Sequence, residues 1–270
     1  MRITFLGGGN MASALIGGLK EKGFSVAGIQ VVELNEEVRG ALTEKFGVRC
    51  TGAVDAASLN CEVLVLAVKP QQMREAVKPL IGQLGSQLVI SIAAGLRVAD
   101  IARWLGGHQC IVRTMPNTPA LIGAGITGIY AAPDVDAEQR QLADTILAAV
   151  GSTVWVDEEA QVDAVTAISG SGPAYVFYFI EALESAALEL GFDLPSARKL
   201  ALETTLGAAR LAARSEDAPA ILRERVTSKG GTTEAALRSL EGDAVRAAIS
   251  RAAQAAAARG RELGVQLGQD

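Results

Sequence analysis

Histidine is almost missing from this chain: His108 is the only one in 270 residues. Zinc-type clusters and Ser–His or Cys–His dyads therefore have almost no material, and no metal site is expected. His108 itself follows Gly106-Gly107 in what reads as a surface turn. Cys50, Cys61 and Cys110 show no C-x-x-C spacing, as expected of buried thiols in a reducing cytoplasm. Basic runs are absent and the net charge is -5, which argues against a nucleic-acid partner. No apolar run is long enough to span a bilayer; the best candidate, Ala174 to Ile180, is cut off by Glu181 and Glu184. Met1-Arg2-Ile3 enters a strand at once, leaving no room for a signal peptide, so a cytoplasmic protein is expected. Aromatics make up only 4% while alanine is abundant, so helices are expected to approach one another closely. With so few nucleophiles and bases, any chemistry is expected to lean on a cofactor.

What is present starts at residue 2. Arg2-Ile3-Thr4-Phe5-Leu6 reads as a short buried strand running into Gly7-Gly8-Gly9-Asn10-Met11-Ala12, a G-x-G-x-x-A turn that opens a helix from Met11 to about Lys22. Gly7 permits the tight bend, Gly9 lets the backbone approach a pyrophosphate, and Ala12 keeps helix and strand close. The helix N-terminus turns unpaired N–H groups and a positive dipole end toward the phosphates. Glu33 ends the next strand, where a carboxylate accepts bonds from ribose hydroxyls. An ordinary glycine-rich turn is the bland alternative; its place directly after the first strand favours a dinucleotide, NAD or NADP.

Strands and helices alternate from residue 1 to about 161. The strands are 29–33, the continuous apolar run Val63 to Val68, 88–92, 110–113, 125–131 and 153–156. Helices are expected at 36–45, 71–84 and 136–150. Such alternation specifies a Rossmann-type doubly wound parallel sheet. From residue 162 to 270 no strand is visible, and helices are expected at 172–190, 195–214, 218–227 and 232–263. Tyr175 to Ile180 is apolar on every side, so that helix must be surrounded. A second subunit is the natural cover for a domain this small; a central place in one bundle is the alternative.

Four segments narrow the chemistry. Ala67-Val68-Lys69-Pro70, Ser91-Ile92-Ala93-Ala94-Gly95 and Met115-Pro116-Asn117-Thr118-Pro119 end successive strands on one sheet edge, the edge at which such sheets place ligands. Ser169-Gly170-Ser171-Gly172-Pro173-Ala174-Tyr175 opens the helical half. Each taken alone reads equally well as a turn or helix start. Val68, Lys69, Pro70, Ala94, Gly95 and Asn117 join Gly7, Gly9, Asn10, Met11, Ala12 and Glu33 as expected cofactor contacts. A solvated lysine at a strand end is the alternative for Lys69.

With Lys229-Gly230-Gly231-Thr232-Thr233, these motifs stand in the order found in pyrroline-5-carboxylate reductases, and the chain resembles that family over essentially its whole length. The resemblance implies a Rossmann domain (1–161) followed by an all-α domain (162–270) that binds substrate and forms a homodimer or a larger ring of dimers. It implies an active site between the domains that uses the loop Thr227 to Thr233, NAD(P)H as hydride donor, and reduction of 1-pyrroline-5-carboxylate to L-proline in proline biosynthesis. Ser228, Lys229, Gly230, Gly231 and Thr232 would hold the substrate carboxylate, and Thr233 would offer its hydroxyl to the ring nitrogen. Thr233 as a helix cap is the alternative, which the resemblance weighs against. Glu216 matches a family position near the substrate, although Ser215-Glu216-Asp217 equally suits a helix start. Two departures stand out: Lys229 replaces the family's usual proline, and Glu33 stands where a 2′-phosphate would be repelled. A β-hydroxyacid dehydrogenase shares the two-domain plan, but its catalytic lysine has no counterpart between Gly172 and Glu189. A non-enzymatic dinucleotide-binding redox sensor is the remaining alternative.

Overall fold

The computed structural model describes residues 1–269. Its sheet holds eight strands in the order β3-β2-β1-β4-β5-β6-β7-β8. These are β1 (Ile3–Leu6), β2 (Ile29–Val32), β3 (Arg49–Thr51), β4 (Val63–Leu66), β5 (Leu88–Ser91), β6 (Ile111–Met115), β7 (Gly125–Ala131) and β8 (Gly151–Trp155). Neighbours from β3 to β6 pair in parallel. The apolar runs of β1, β4 and β5 are buried along their whole length, as strands covered on both faces must be. Alternation sorts their side chains. Ile3, Phe5, Val63, Val65 and Ile90 join one core, which takes in Leu15, Ile16 and Leu19 of helix α1 (Asn10–Glu21). Leu6, Leu64, Leu66 and Val89 join the other, with Met73, Ile101 and Trp104. Each such side chain contributes roughly 1.5–3 kcal/mol on burial.

Three expectations need correction. The sheet is not wholly parallel: β7 runs antiparallel to β6, and β8 follows β7. Only a short 3₁₀ turn (Thr118–Ile122) joins β6 to β7. A parallel return needs a crossover of a dozen or more residues, so this link permits only reversal. The helix expected at 71–84 is three short pieces: a 3₁₀ turn Pro70–Gln72, α4 (Met73–Val77) and a second turn Lys78–Leu80. Pro79 has no N–H to continue the ladder and disfavours helix at the residue before it. The helix expected at 232–263 is two, α11 (Thr232–Gly242) and α12 (Val245–Leu267), separated where Ala244 takes φ +54°. Gly242-Asp243, weak helix formers, precede that break.

Other elements are α2 (Glu36–Phe46), expected at 36–45, and α6 (Ala137–Leu147), capped by Asp136. The sequence pattern did not reveal β3, α3 (Ala56–Leu59), α5 (Val98–Trp104) or α7 (Gln161–Val165). A π-helical turn, Thr166–Gly170, follows α7.

The chain forms two compact units: residues 1–171 with 256–269, and residues 172–255. In the second, α8 (Gly172–Glu189) packs on α9 (Leu194–Arg214), with an ion pair from Arg198 to Glu184 at 2.9 Å. Asp193 caps α9 by accepting from the Ser196 N–H at 2.9 Å, and Ser196 holds its carboxyl below the ordinary range. α10 (Pro219–Arg225) and α11 follow. Only Ala197 and Ala201 are buried in this unit. Phe177, Tyr178 and Phe179 of α8 are 61%, 75% and 53% exposed, so within the helical unit this aromatic face of the helix is left uncovered. Among the described residues no helix is long and apolar enough to cross a membrane.

Candidate active site

In the sheet-bearing unit the strand order reverses at β1, with β2 on one side and β4 on the other. Ligands of doubly wound sheets bind beyond the strand ends at such a point. Gly7 sits there at φ +101°, its N–H donating to Val32 O at 2.8 Å. A Cβ at Gly7 would stand 2.7 Å from Ala67 O, so no other residue fits. Gly9, the N-cap of α1, is the reverse case: a Cβ there would meet nothing within 4 Å, leaving the helix start open to a ligand. That opening, with Asn10 and Met11 on its rim and Ala12 buried beneath it, fits a pyrophosphate.

Glu33 is tied into this turn. Its carboxylate accepts from Gly8 N–H at 2.8 Å and from Asn35 N–H at 2.8 Å, joining the glycine turn to the end of β2. Beside it, the Arg39 guanidinium donates to Glu33 O and Leu34 O at 2.9 and 2.8 Å. Arg39 went unnoticed in the sequence because it lies in α2, outside the glycine motif. After β4, Val68 and Pro70 are half-buried and Lys69 is exposed, with no partner for its amine among the described residues. After β5, Ala93 is buried, Ala94 is exposed and Gly95 turns at φ +80°.

Asn117 is used inside the protein. Its Nδ2 donates to Ser169 O at 3.2 Å and its Oδ1 accepts from Ile126 N–H at 2.9 Å. It thereby ties the β6 loop to the start of β7 and to the π-helical turn. A second brace lies beside it. Arg113, 2% exposed on β6, pairs with Glu159 at 3.1 Å and Asp163 at 2.5 Å, and Glu159 also accepts from Val98 N–H at 2.7 Å. The brace links the ends of β6, α5 and α7. A lone arginine in an apolar strand was the signal for it.

The helical unit holds the expected substrate loop. Gly231, not a threonine, is the N-cap of α11. Gly231 N–H donates to Ser228 O at 3.0 Å, and Gly230, at φ +74°, donates to Glu234 Oε2 at 2.8 Å. The N–H groups of Thr232, Thr233 and Glu234 lie in the first turn, where helices leave donors open. Among the described residues the Thr233 hydroxyl has no hydrogen-bond partner, so it does no capping. Ser228 and Lys229 are exposed. Glu216 is exposed, while its neighbours Ser215 and Asp217 bond each other and Asp217 pairs with Arg225. α10 starts at Pro219 with Ala218 as its cap, so Glu216 is not a helix cap. No group of His, Cys, Asp and Glu among the described residues could hold a metal.

Residues 159–263 match the family model for pyrroline-5-carboxylate reductase dimerisation, and residues 2–95 match that for coenzyme F420-dependent NADP oxidoreductases. A pyrroline-5-carboxylate reductase of Pseudomonas aeruginosa is 45% identical over 269 residues, covering 99% of this chain and 98% of the relative. Among solved structures, a pyrroline-5-carboxylate reductase from Coxiella burnetii superposes with a TM-score of 0.92 at 43% identity, covering 97% of this chain and 98% of that one. Plasmodium falciparum pyrroline carboxylate reductase with NADP bound gives 0.86 at 27% identity, covering 98% of each chain. With the glycine turn, the β-strand-end loops and the threonine loop all in place within matches of this length, the chain belongs to the pyrroline-5-carboxylate reductase family.

Proposed function

We propose that the chain reduces 1-pyrroline-5-carboxylate to L-proline, the last step of proline biosynthesis, as a cytoplasmic homodimer or ring of dimers. The observation that carries this reading is the start of α11, where the unengaged Thr233 hydroxyl shares a helical turn with open N–H groups. Residues 1–161 are assigned to the cofactor, and 162–270 to substrate and dimerisation. Bound NADH or NADPH would deliver a hydride to the imine carbon. The protein's own work is to orient the imine, hold its carboxylate and polarise the C=N bond; no covalent bond to the protein forms. The N–H groups of residues 232–234 hold the carboxylate at the helix N-terminus, and exposed Lys229 adds positive charge nearby. Thr233 hydrogen-bonds to the ring nitrogen, which takes its proton from solvent water as the hydride reaches carbon. Ser228 and Glu216 are assigned to the substrate, and Lys69, Val68, Pro70, Ala94 and Gly95 to the cofactor site, where Asn117 serves by holding the β6 loop in place. The exposed aromatic face of α8 is assigned to the second subunit.

The test is NAD(P)H oxidation on addition of 1-pyrroline-5-carboxylate, with L-proline identified as product. Reduction of NAD(P)+ by a β-hydroxyacid, with no turnover of the imine, would point to a β-hydroxyacid dehydrogenase. Cofactor binding with no turnover of either substrate would point to a sensor.

A further inference from the structure

The substrate loop contains no residue with a fixed φ: Ser228-Lys229-Gly230-Gly231 are all free to rotate, and Gly230 occupies the left-handed region. Two hydrogen bonds hold its shape. One is the turn bond from Gly231 N–H to Ser228 O. The other comes from outside the loop, Gly230 N–H to Glu234 Oε2 at 2.8 Å. Glu234 is the third residue of α11, the position from which a glutamate reaches back to the backbone preceding a helix. Its charge also lies near the place assigned to the substrate carboxylate, which at first sight opposes binding. Two features limit that opposition. The carboxylate is turned back onto Gly230, upstream of the open N–H groups, and Arg238 lies one turn along the helix, 3.7 Å from Glu234.

We infer that Glu234 is a positioning residue for this reaction: by accepting the Gly230 N–H it fixes the glycine loop in the conformation that receives the substrate carboxylate. The inference rests on the reading of this loop as the carboxylate site. It concerns ground-state binding, because the substrate carboxylate does not change charge during hydride transfer.

The experiment uses the full chain with cofactor saturating and compares wild type, Glu234→Ala, Glu234→Gln and Thr233→Val. Glutamine keeps an oxygen that can accept the Gly230 N–H and removes only the charge. Glu234→Ala is expected to raise KM for the imine about tenfold, with kcat changed less than about twofold. The inhibition constant for L-proline, which carries the same carboxylate, is expected to rise in parallel, while KM for the cofactor stays put. Glu234→Gln is expected to remain within about threefold of wild type in KM. A helix-start role alone would lower the melting temperature of Glu234→Ala without this split between KM and kcat. An unchanged or lowered KM in Glu234→Ala, while Thr233→Val still loses turnover, would overturn the role of Glu234 alone. So would an equal defect in Glu234→Gln, since charge and not the Gly230 bond would then matter. Normal kinetics in Thr233→Val would overturn the loop reading itself, and the inference with it.

Discussion

Glu33→Ser separates a brace from a selector. In the structure the Glu33 carboxylate accepts two backbone N–H groups, Gly8 and Asn35, both at 2.8 Å. A serine hydroxyl is too short to replace both bonds, so the glycine turn loses order. Bonds to a charged group contribute about 1.5–3 kcal/mol each, and the lower end applies at this partly exposed position. That loss falls on NADH and NADPH alike and cancels in their ratio. What does not cancel is the repulsion between a carboxylate and a 2′-phosphate. At about 6 Å and an effective dielectric near 40 it is roughly 1.4 kcal/mol per unit charge, or about tenfold. Arg39, bonded to Glu33 O and Leu34 O, offsets part of the phosphate's larger charge. Wild type is expected to use NADH at least comparably to NADPH. In Glu33→Ser, kcat/KM for NADH should fall while the NADPH/NADH ratio of kcat/KM rises about tenfold. The measurement is kcat/KM for each cofactor at saturating imine. If both constants fall together and the ratio stays fixed, Glu33 is a brace only and does not face the ribose.

Three further outcomes are expected. Thr233→Val should cut kcat by about 30- to 1,000-fold, more than it raises KM, with an unchanged melting temperature because the hydroxyl bonds nothing among the described residues; near-normal turnover with a lowered melting point would return Thr233 to a structural role. Arg113→Met leaves Glu159 and Asp163 uncompensated around a buried site, and should cost about 3 kcal/mol in denaturant unfolding; a loss under about 1 kcal/mol would show the brace to be incidental. Phe177→Asp on the uncovered face of α8 should dissociate the assembly in sedimentation, and a wild-type chain that sediments as a stable monomer at micromolar concentration would refute the dimer outright.

The parts of the fold legible in the sequence were those whose cause is local. A continuous apolar run such as Val63 to Leu66, bounded by Pro70, reads as a strand covered on both faces, and the turn from Gly7 to Ala12 carries its own steric logic. Strand direction at β7 was not local: it follows from the length of the link before it, which the alternating pattern concealed. Pro79 and Gly242 were visible breakers, but apolar periodicity on both sides bridged them in the reading. At the site, residue types pointed to Thr233 and Glu33. They could not show that Gly231 takes the cap, that Glu33 grips Gly8, or that Glu234 folds back onto Gly230, because each depends on a backbone direction that exists only once the turn has formed.

The C-terminal reach of α12 has a consequence for synthesis. The helix begins in the helical unit, yet residues 256–269 cluster with the sheet. Arg103 donates to Gly268 O at 2.7 Å, and a Cβ on Gly264 would stand 2.6 Å from Gly95 O. The sheet-bearing unit is thus interrupted in sequence, and a ribosome that has released its first 171 residues has not yet released all of it. The loop carrying Ala94 and Gly95 waits, unbacked, until the chain has been made through residue 268. A frameshift beyond Ala255, far in sequence from Gly7 and Gly9, would therefore strike the sheet-bearing unit as well as the helical one.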